Sequence, residues 1–278
     1  MAKGKAKSTL LGIQGIIGHQ DAPSWEFLYE HSTVRNPNYN IGDRVVLPDG
    51  RVFRYSKATN IFSSCKYGVK FYGQIGDGVA TQVSASAAIG DKSIKIAASG
   101  VTEDEYRGGY FMAHVTIQQF RGIIGNTATD GAGNIVVYLD AALTNALVDS
   151  SSYCELLQSP YRNTRLTAGP GGGLSGNDYS SVAGIPNVVT TVADELLWLQ
   201  TWGPIWVNPH GSSLQDAGIT GGERALVFDC EGSITLVDDV AHGPCGAGGD
   251  LQQHAGFIID RSAASTSGPP LVMLQISP

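Results

Sequence analysis

The chain has 278 residues, enough for one large or two ordinary domains with their own hydrophobic core, so disulfide staples are not required. Charged residues make up only 15%, against the ~25% usual in soluble domains, and no apolar run is long enough to span a membrane; a low-charge surface outside a membrane suggests burial in an assembly. The net charge of −7 is uneven, with ten Lys/Arg against five Asp/Glu in residues 1–70, so a basic segment precedes an acidic body.

Residues 1–40 read as an extended arm. Lys3, Lys5 and Lys7 open it, and a glycine-spaced apolar stretch from Leu10 to Gly18 follows. This start mimics a secretory leader, but Gln14 and three glycines dilute the apolar centre and no small-x-small cleavage site follows, so a cytoplasmic origin is expected. Trp25, Phe27 and Tyr29 alternate and would share one face of a strand or extended segment. Such an aromatic face needs something to cover it, and with the three lysines it forms the candidate partner-binding surface. Three lysines without an arginine run are a weak nucleic-acid signal, so no nucleic-acid partner is expected.

Residues 41–78 contain a β-hairpin that joins the body. Ile41 to Leu47 and Arg51 to Tyr55 flank Pro48-Asp49-Gly50, where proline presets one turn angle and glycine supplies a positive one. Residues 79–160 read as a β-domain, with strands over Lys92–Ile96, Tyr110–Ile117, Gly122–Asn126 and Ile135–Leu139, and a turn at Asp130-Gly131-Ala132-Gly133-Asn134. Residues 161–180 read as a Gly-rich linker or loop, on the strength of Gly169-Pro170-Gly171-Gly172-Gly173.

Residues 181–278 form a C-terminal β-domain. Trp198, Trp202 and Trp206 lie within nine residues, a spacing that suits a helical stripe and a strand equally. Gly203-Pro204 decides for one kinked strand or two, because proline inside a helix costs about 3 kcal/mol. The apolar residues between the indoles make the cluster a buried or interface element, and a solvent-facing platform for sugar or a partner is the competing reading. Strands follow at Arg224–Phe228, Ser233–Val237, His254–Asp260 and Leu271–Ile276. The fold class expected is mainly β, with two small β-barrel or sandwich-like domains and an extended N-terminal arm.

Chemical motifs are scarce. Gly171 to Gly176 matches GxGxxG formally, but no apolar strand leads in and no helix opens after it. The Asp130 loop lacks the alternating ligands and distal glutamate of a calcium-binding EF-hand. The six histidines never recur at metal-ligand spacing, no GxSxG or HExxH appears, and Glu103, Asp104 and Glu105 read as a solvated acidic turn. Catalytic residues, metal ligands and cofactors are therefore expected to be none. Cys65, Cys154, Cys230 and Cys245 have no CxxC spacing; reduced thiols are expected, with Cys230 and Cys245 the one pair worth testing.

Several stretches together resemble a group of tailed-bacteriophage structural proteins encoded near the major capsid protein. They are Asp49-Gly50-Arg51-Val52-Phe53-Arg54-Tyr55 with Ser56-Lys57-Ala58, Glu105-Tyr106-Arg107-Gly108-Gly109-Tyr110, Trp198-Leu199-Gln200-Thr201-Trp202-Gly203-Pro204, His254-Ala255-Gly256-Phe257 and the closing Leu274-Gln275-Ile276-Ser277-Pro278. The resemblance spans residues 41–278 and carries over no catalytic residue. It implies a virion structural role, as a decoration or cement protein on the capsid surface, with the major capsid protein as partner. A homo-oligomer, with a trimer favoured, completes that expectation. The alternative is a carbohydrate-binding head-fibre or tail adhesin module, and a β-rich polysaccharide hydrolase stands third.

Overall fold

The computed structural model describes residues 23–71, 79–115, 117–166, 181–209, 224–229, 231–237, 253–260 and 270–278. Strands make up 46% of the described residues and no α-helix occurs among them, so the fold is mainly β. A short 3-10 helix at Glu26–Tyr29 is followed by β1 (His31–Ser32), β2 (Arg44–Val46), β3 (Val52–Lys57), β4 (Val69–Phe71), β5 (Val79–Gln82) and β6 (Ser93–Ala97). Next come β7 (Tyr110–His114), β8 (Gln119–Asn126), β9 (Asn134–Leu139), β10 (Tyr153–Leu157), a second 3-10 helix at Pro160–Arg162 and β11 (Thr164–Leu166). The last third holds β12 (Val182–Pro186), β13 (Leu196–Trp206), β14 (Ala225–Phe228), β15 (Ile234–Leu236), β16 (His254–Asp260) and β17 (Leu271–Gln275).

These elements form two compact units. Unit 2 lies within Asn40–Gly42 and Gly73–Arg162, and unit 1 within Met1–Tyr39, Asp43–Tyr72 and Asn163–Pro278. Unit 1 thus gathers what the sequence separates into arm, hairpin segment, linker and C-terminal domain, and unit 2 interrupts it in the chain. The physical reason is pairing: β4, from the hairpin segment, lies between β11 and β12, and β3 runs along β13 from Lys57 opposite Leu196 to Val52 opposite Trp202. Thr164–Leu166, expected as linker, is a strand whose threonine side chain is buried and bonded to Ser56 Oγ at 2.9 Å. Residues 167–180, with the glycine run, lie outside the described residues, as do Cys230 and Cys245.

The sheet of unit 1 curls twice around β13. Strands β3, β13, β12, β4 and β11 are neighbours in that order, and a parallel bridge from Thr164 to Ala58 returns to the end of β3. On the other side β13, β17, β16, β14 and β15 follow one another, and a parallel bridge from Ile234 to Pro209 returns to the chain just after β13. Ile205, Val207, Leu226, Phe228, Val272 and Leu274 fill the second curl. β13 is one kinked strand: Gly203 takes φ +93°, a backbone shape that favours glycine, and its α-carbon passes the hairpin tip so closely that a Cβ would stand 2.8 Å from Arg51 Cα. The tip is the expected turn, with Gly50 at φ +86° and its N–H donating to Leu47 O at 3.0 Å.

Unit 2 is a six-stranded antiparallel sheet in the order β5-β10-β7-β8-β9-β6. Its outer strands meet through the Val83–Ile96 bridge and the Ser84 N–H to Lys95 O bond of 2.9 Å, so the sheet wraps its own core. β6, β7 and β10 alternate between exposed and buried positions, with Ile94, Ile96, Phe111, Ala113, Cys154 and Leu156 turned inward. β7 ends at His114, short of the expected Ile117. The Asp130 turn closes on its own side chain, whose Oδ1 accepts N–H bonds from Ala132 and Asn134, both at 2.9 Å.

Cys154 sits in this core, donating its thiol to Thr81 O at 3.3 Å, and burial followed by the neighbouring Glu155 charge pushes its pKa up to about 12. It is a neutral thiol at any physiological pH, and the thiolate is the nucleophile. Alkylation of the native protein at pH 8 followed by peptide mapping is therefore expected to leave Cys154 unmodified until denaturant is added. Rapid native labelling at Cys154 would contradict this burial.

Candidate interaction surfaces

The three arm aromatics do not share a face. Ser24 Oγ accepts the Phe27 N–H at 3.2 Å and the backbone closes into the 3-10 turn, which turns Leu28 into the core and separates Phe27 from Trp25 and Tyr29. The extended arm expected over residues 1–40 is thus corrected for its described part: residues 25–39 fold onto unit 1. Phe27 joins Tyr39, Tyr55 and Trp198 in one aromatic cluster, with ring centroids 5.0 to 6.4 Å apart. Trp25 and Tyr29 instead flank the hairpin, where the Arg51 guanidinium lies 5.9 Å from the Trp25 ring and 5.8 Å from Phe53, and donates to Tyr29 Oη at 2.5 Å and Asp49 Oδ2 at 2.7 Å. Burial works against the charge of Arg51, but the bonds to Asp49 and Tyr29 outweigh it and raise its pKa. These aromatics serve the fold of unit 1. Lys3, Lys5 and Lys7 lie outside the described residues.

The three tryptophans of β13 have three different environments. Trp198 is 1% exposed, Trp202 is half-buried, and Trp206 is 49% exposed. From Leu196 to Thr201 every residue is buried, because the aromatic cluster covers one side and the sheet core the other; beyond Gly203 one side is exposed and burial alternates. Trp198 therefore cannot act as a ligand platform. Trp202, Pro204 and Trp206 point to an outer face shared with the neighbouring strands, where Pro204 stands opposite Met273 and Trp206 opposite Leu271. Across β17, Met273 stands opposite Phe257. Phe257, Ile259 and Leu271 are each exposed.

Unit 2 has an aromatic outer face of its own. Leu157 pairs with Tyr110, Met112 with Phe120, and Tyr153 with His114 across β10, β7 and β8. The Tyr110 and Phe120 rings stack at 5.1 Å, and Phe120 and Tyr153 are both more than half exposed. His114 Nε2 lies 3.2 Å from Glu155 Oε1 in the midst of these rings. Of these side chains only Tyr110, Met112 and His114 fall in a strand expected from sequence; the signal that finds the face is the position out of phase with the buried residues, even-numbered on β7 and odd-numbered on β10.

The carboxylates of the acidic turn are engaged locally. Glu105 accepts bonds from the Thr102 N–H and hydroxyl at 2.8 and 3.0 Å and from Gln158 at 3.1 Å, while Asp104 pairs with Arg107 at 3.1 Å. No cluster of His, Cys, Asp and Glu able to hold a metal occurs among the described residues. A buried carboxylate, Glu195, holds the loop before β13: it accepts the Thr191 N–H at 2.7 Å and hydroxyl at 3.0 Å, and His31 Nδ1 lies 2.9 Å away. Burial raises its pKa, but the bonds from Thr191, His31 and Val192 outweigh burial and depress it below the ordinary value. A depressed folded-state pKa gives stability that is full above the unfolded value of about 4.3 and fades as pH falls through the folded value. Glu195→Gln is thus expected to be less stable than the parent at neutral pH, with the gap in denaturation midpoints closing in acid; a gap independent of pH would show that the charge contributes nothing.

Comparison with protein-family models, with curated proteins and with solved structures finds no match for the chain.

Proposed function

We propose that the protein is a non-enzymatic virion structural protein, which decorates and stabilises a tailed-phage capsid by bridging neighbouring major capsid protein subunits at the capsid surface. The observation that supports this reading is the outer face of unit 2, where Tyr110, Met112, Phe120, Tyr153 and Leu157 adjoin on a sheet whose other face is already packed. Contiguous exposed apolar side chains mark interaction sites in soluble proteins. The low charge content and the segments resembling phage structural proteins agree with a partner that buries this face. Lys3, Lys5 and Lys7 add a basic segment suited to an acidic capsid surface, a contribution that salt would weaken.

Co-sedimentation of the full chain with capsids assembled from its virion's major capsid protein tests the proposal. Binding is expected, with at least a tenfold loss on Phe120→Asp, since a charge would be buried without a partner; failure of the parent protein to co-sediment would reject the reading. Removing the arm for the same test has to stop at residue 22. A cut at residue 40 would also remove Phe27 and Tyr39 from the Trp198 cluster.

A second reading, a carbohydrate-binding head-fibre or tail adhesin module, draws on the same face. Exposed aromatic rings beside a hydrogen-bonding His114–Glu155 pair suit a sugar, which offers an apolar ring face and hydroxyls together. Glycan binding that is lost on Tyr110→Ala, without capsid binding, would favour it.

A further inference from the structure

We propose that the outer face of β13, β17 and β16 in unit 1 is where two copies of this chain meet, sheet face against sheet face. The pairing does not depend on the capsid reading. Three adjacent strands supply it: Trp206 opposite Leu271, then Pro204 opposite Met273 and Met273 opposite Phe257, with Ile259 at the bulge beside Asp260. Among the described residues, the one ionisable group in the rows of these six is Asp260, opposite Leu271 at their end. Polar side chains come only at the margin, where His254 Nε2 and Gln275 Oε1 lie 3.1 Å apart at one end and Asp260 stands at the other.

The extent of the face matches the apolar centre of a dimer interface. Trp206 is 49% exposed, and Phe257, Ile259 and Leu271 are 42%, 42% and 41% exposed. With large side chains offering roughly 150–250 Å² each, these four alone present about 300–400 Å² of surface. Trp202, Pro204 and Met273 add their half-buried portions. A stable interface buries about 800 Å² per partner, with an apolar core inside a polar rim. The face supplies that core, and its margin supplies the rim.

Its composition selects the occupant. A sugar or a charged partner needs polar groups at the centre to fix its orientation, and the centre here has none. A second sheet face needs only apolar side chains at about 10 Å spacing. A two-fold axis along β17 lays β13 of one copy over β16 of the other, so that Pro204 meets Phe257 and the indole of Trp206 meets Ile259 beside Asp260, while Met273 meets its own counterpart. Methionine, unbranched and adaptable, suits a position on an axis. Such an isologous contact closes on itself as a pair, a different assembly from the trimer that the family resemblance favours.

Sedimentation equilibrium of the full-length protein at micromolar concentration tests this, with a dimer expected. Met273→Glu places two like charges across the axis and is expected to weaken the dimer by about a hundredfold or more. Mixing Met273→Glu with Met273→Lys is expected to restore it, a rescue that a misfolded variant could not show. Phe257→Glu, away from the axis, is expected to give a monomer with the parent's circular dichroism spectrum. A parent protein that is monomeric or trimeric, or a Met273→Glu variant that stays dimeric, would overturn the proposal.

Discussion

Trp198→Ala is expected to destabilise unit 1 by about 3–5 kcal/mol, the usual range for emptying a large buried aromatic site. The indole is 1% exposed and lies 5.0 Å from the Tyr55 ring, 5.3 Å from Tyr39 and 6.4 Å from Phe27. Three rings from two segments converge on it, so the cavity would loosen β3 and the 25–39 segment together. Trp198→Phe should cost clearly less. Its Nε1 is buried with no hydrogen-bond partner among the described residues, so the indole contributes volume and ring contact there, and a smaller ring retains part of both. Urea denaturation of the two variants reads the difference; an alanine variant within about 1 kcal/mol of the parent would show that the cluster is loosely packed.

Gly203→Ala should be nearly as damaging, by a backbone route. At φ +93° an alanine is strained by about 1–3 kcal/mol, and its Cβ would press on Arg51 Cα at 2.8 Å and Gly50 O at 3.0 Å. Both obstacles are main chain, which cannot swing away as a side chain can. The hairpin tip would have to move, taking Arg51 from Trp25, Phe53 and Tyr29. We expect a loss of about 3 kcal/mol or more. Gly50→Ala is the control: φ is +86° but nothing stands within 4 Å of the added carbon, so only the conformational strain applies. Equal thermal shifts for the two variants would remove the close-approach argument.

What could be read from sequence was what is decided locally. Pro48-Asp49-Gly50 and Asp130 to Asn134 carry their turns in their own side chains, and Gly203-Pro204 excludes a helix wherever the segment packs. Strands β6, β7, β9 and β10 of unit 2 alternate cleanly because one side faces a core and the other does not. Long-range pairing left no such trace. Nothing near Thr164 signals that it will stand opposite Phe71, and this pairing turns an expected linker into a wall of unit 1. The arm is a similar case: alternating Trp25, Phe27 and Tyr29 suit an extended strand, and the Ser24 hydroxyl overrides that pattern by closing a turn. The equal spacing of Trp198, Trp202 and Trp206 likewise hid their unequal burial, since cover for β13 comes from residues 27, 39 and 55 and reaches only its first half.

The pairing of Thr164 with Phe71 has a further consequence for the way the molecule is put together. The chain leaves unit 1 at the end of β4 and re-enters at the start of β11, two points held side by side across one antiparallel ladder. Apart from Asn40–Gly42, unit 2 therefore lies in the chain where a hairpin loop would, as a cassette spliced into a turn. Once such a cassette folds with its ends together, it shortens the effective length of the loop that β4 and β11 must close, and so lowers the entropic barrier to joining them. In a molecule of this plan the surface presented by unit 2 can diversify at a rate of its own, while the host sheet is held constant by its shared strand.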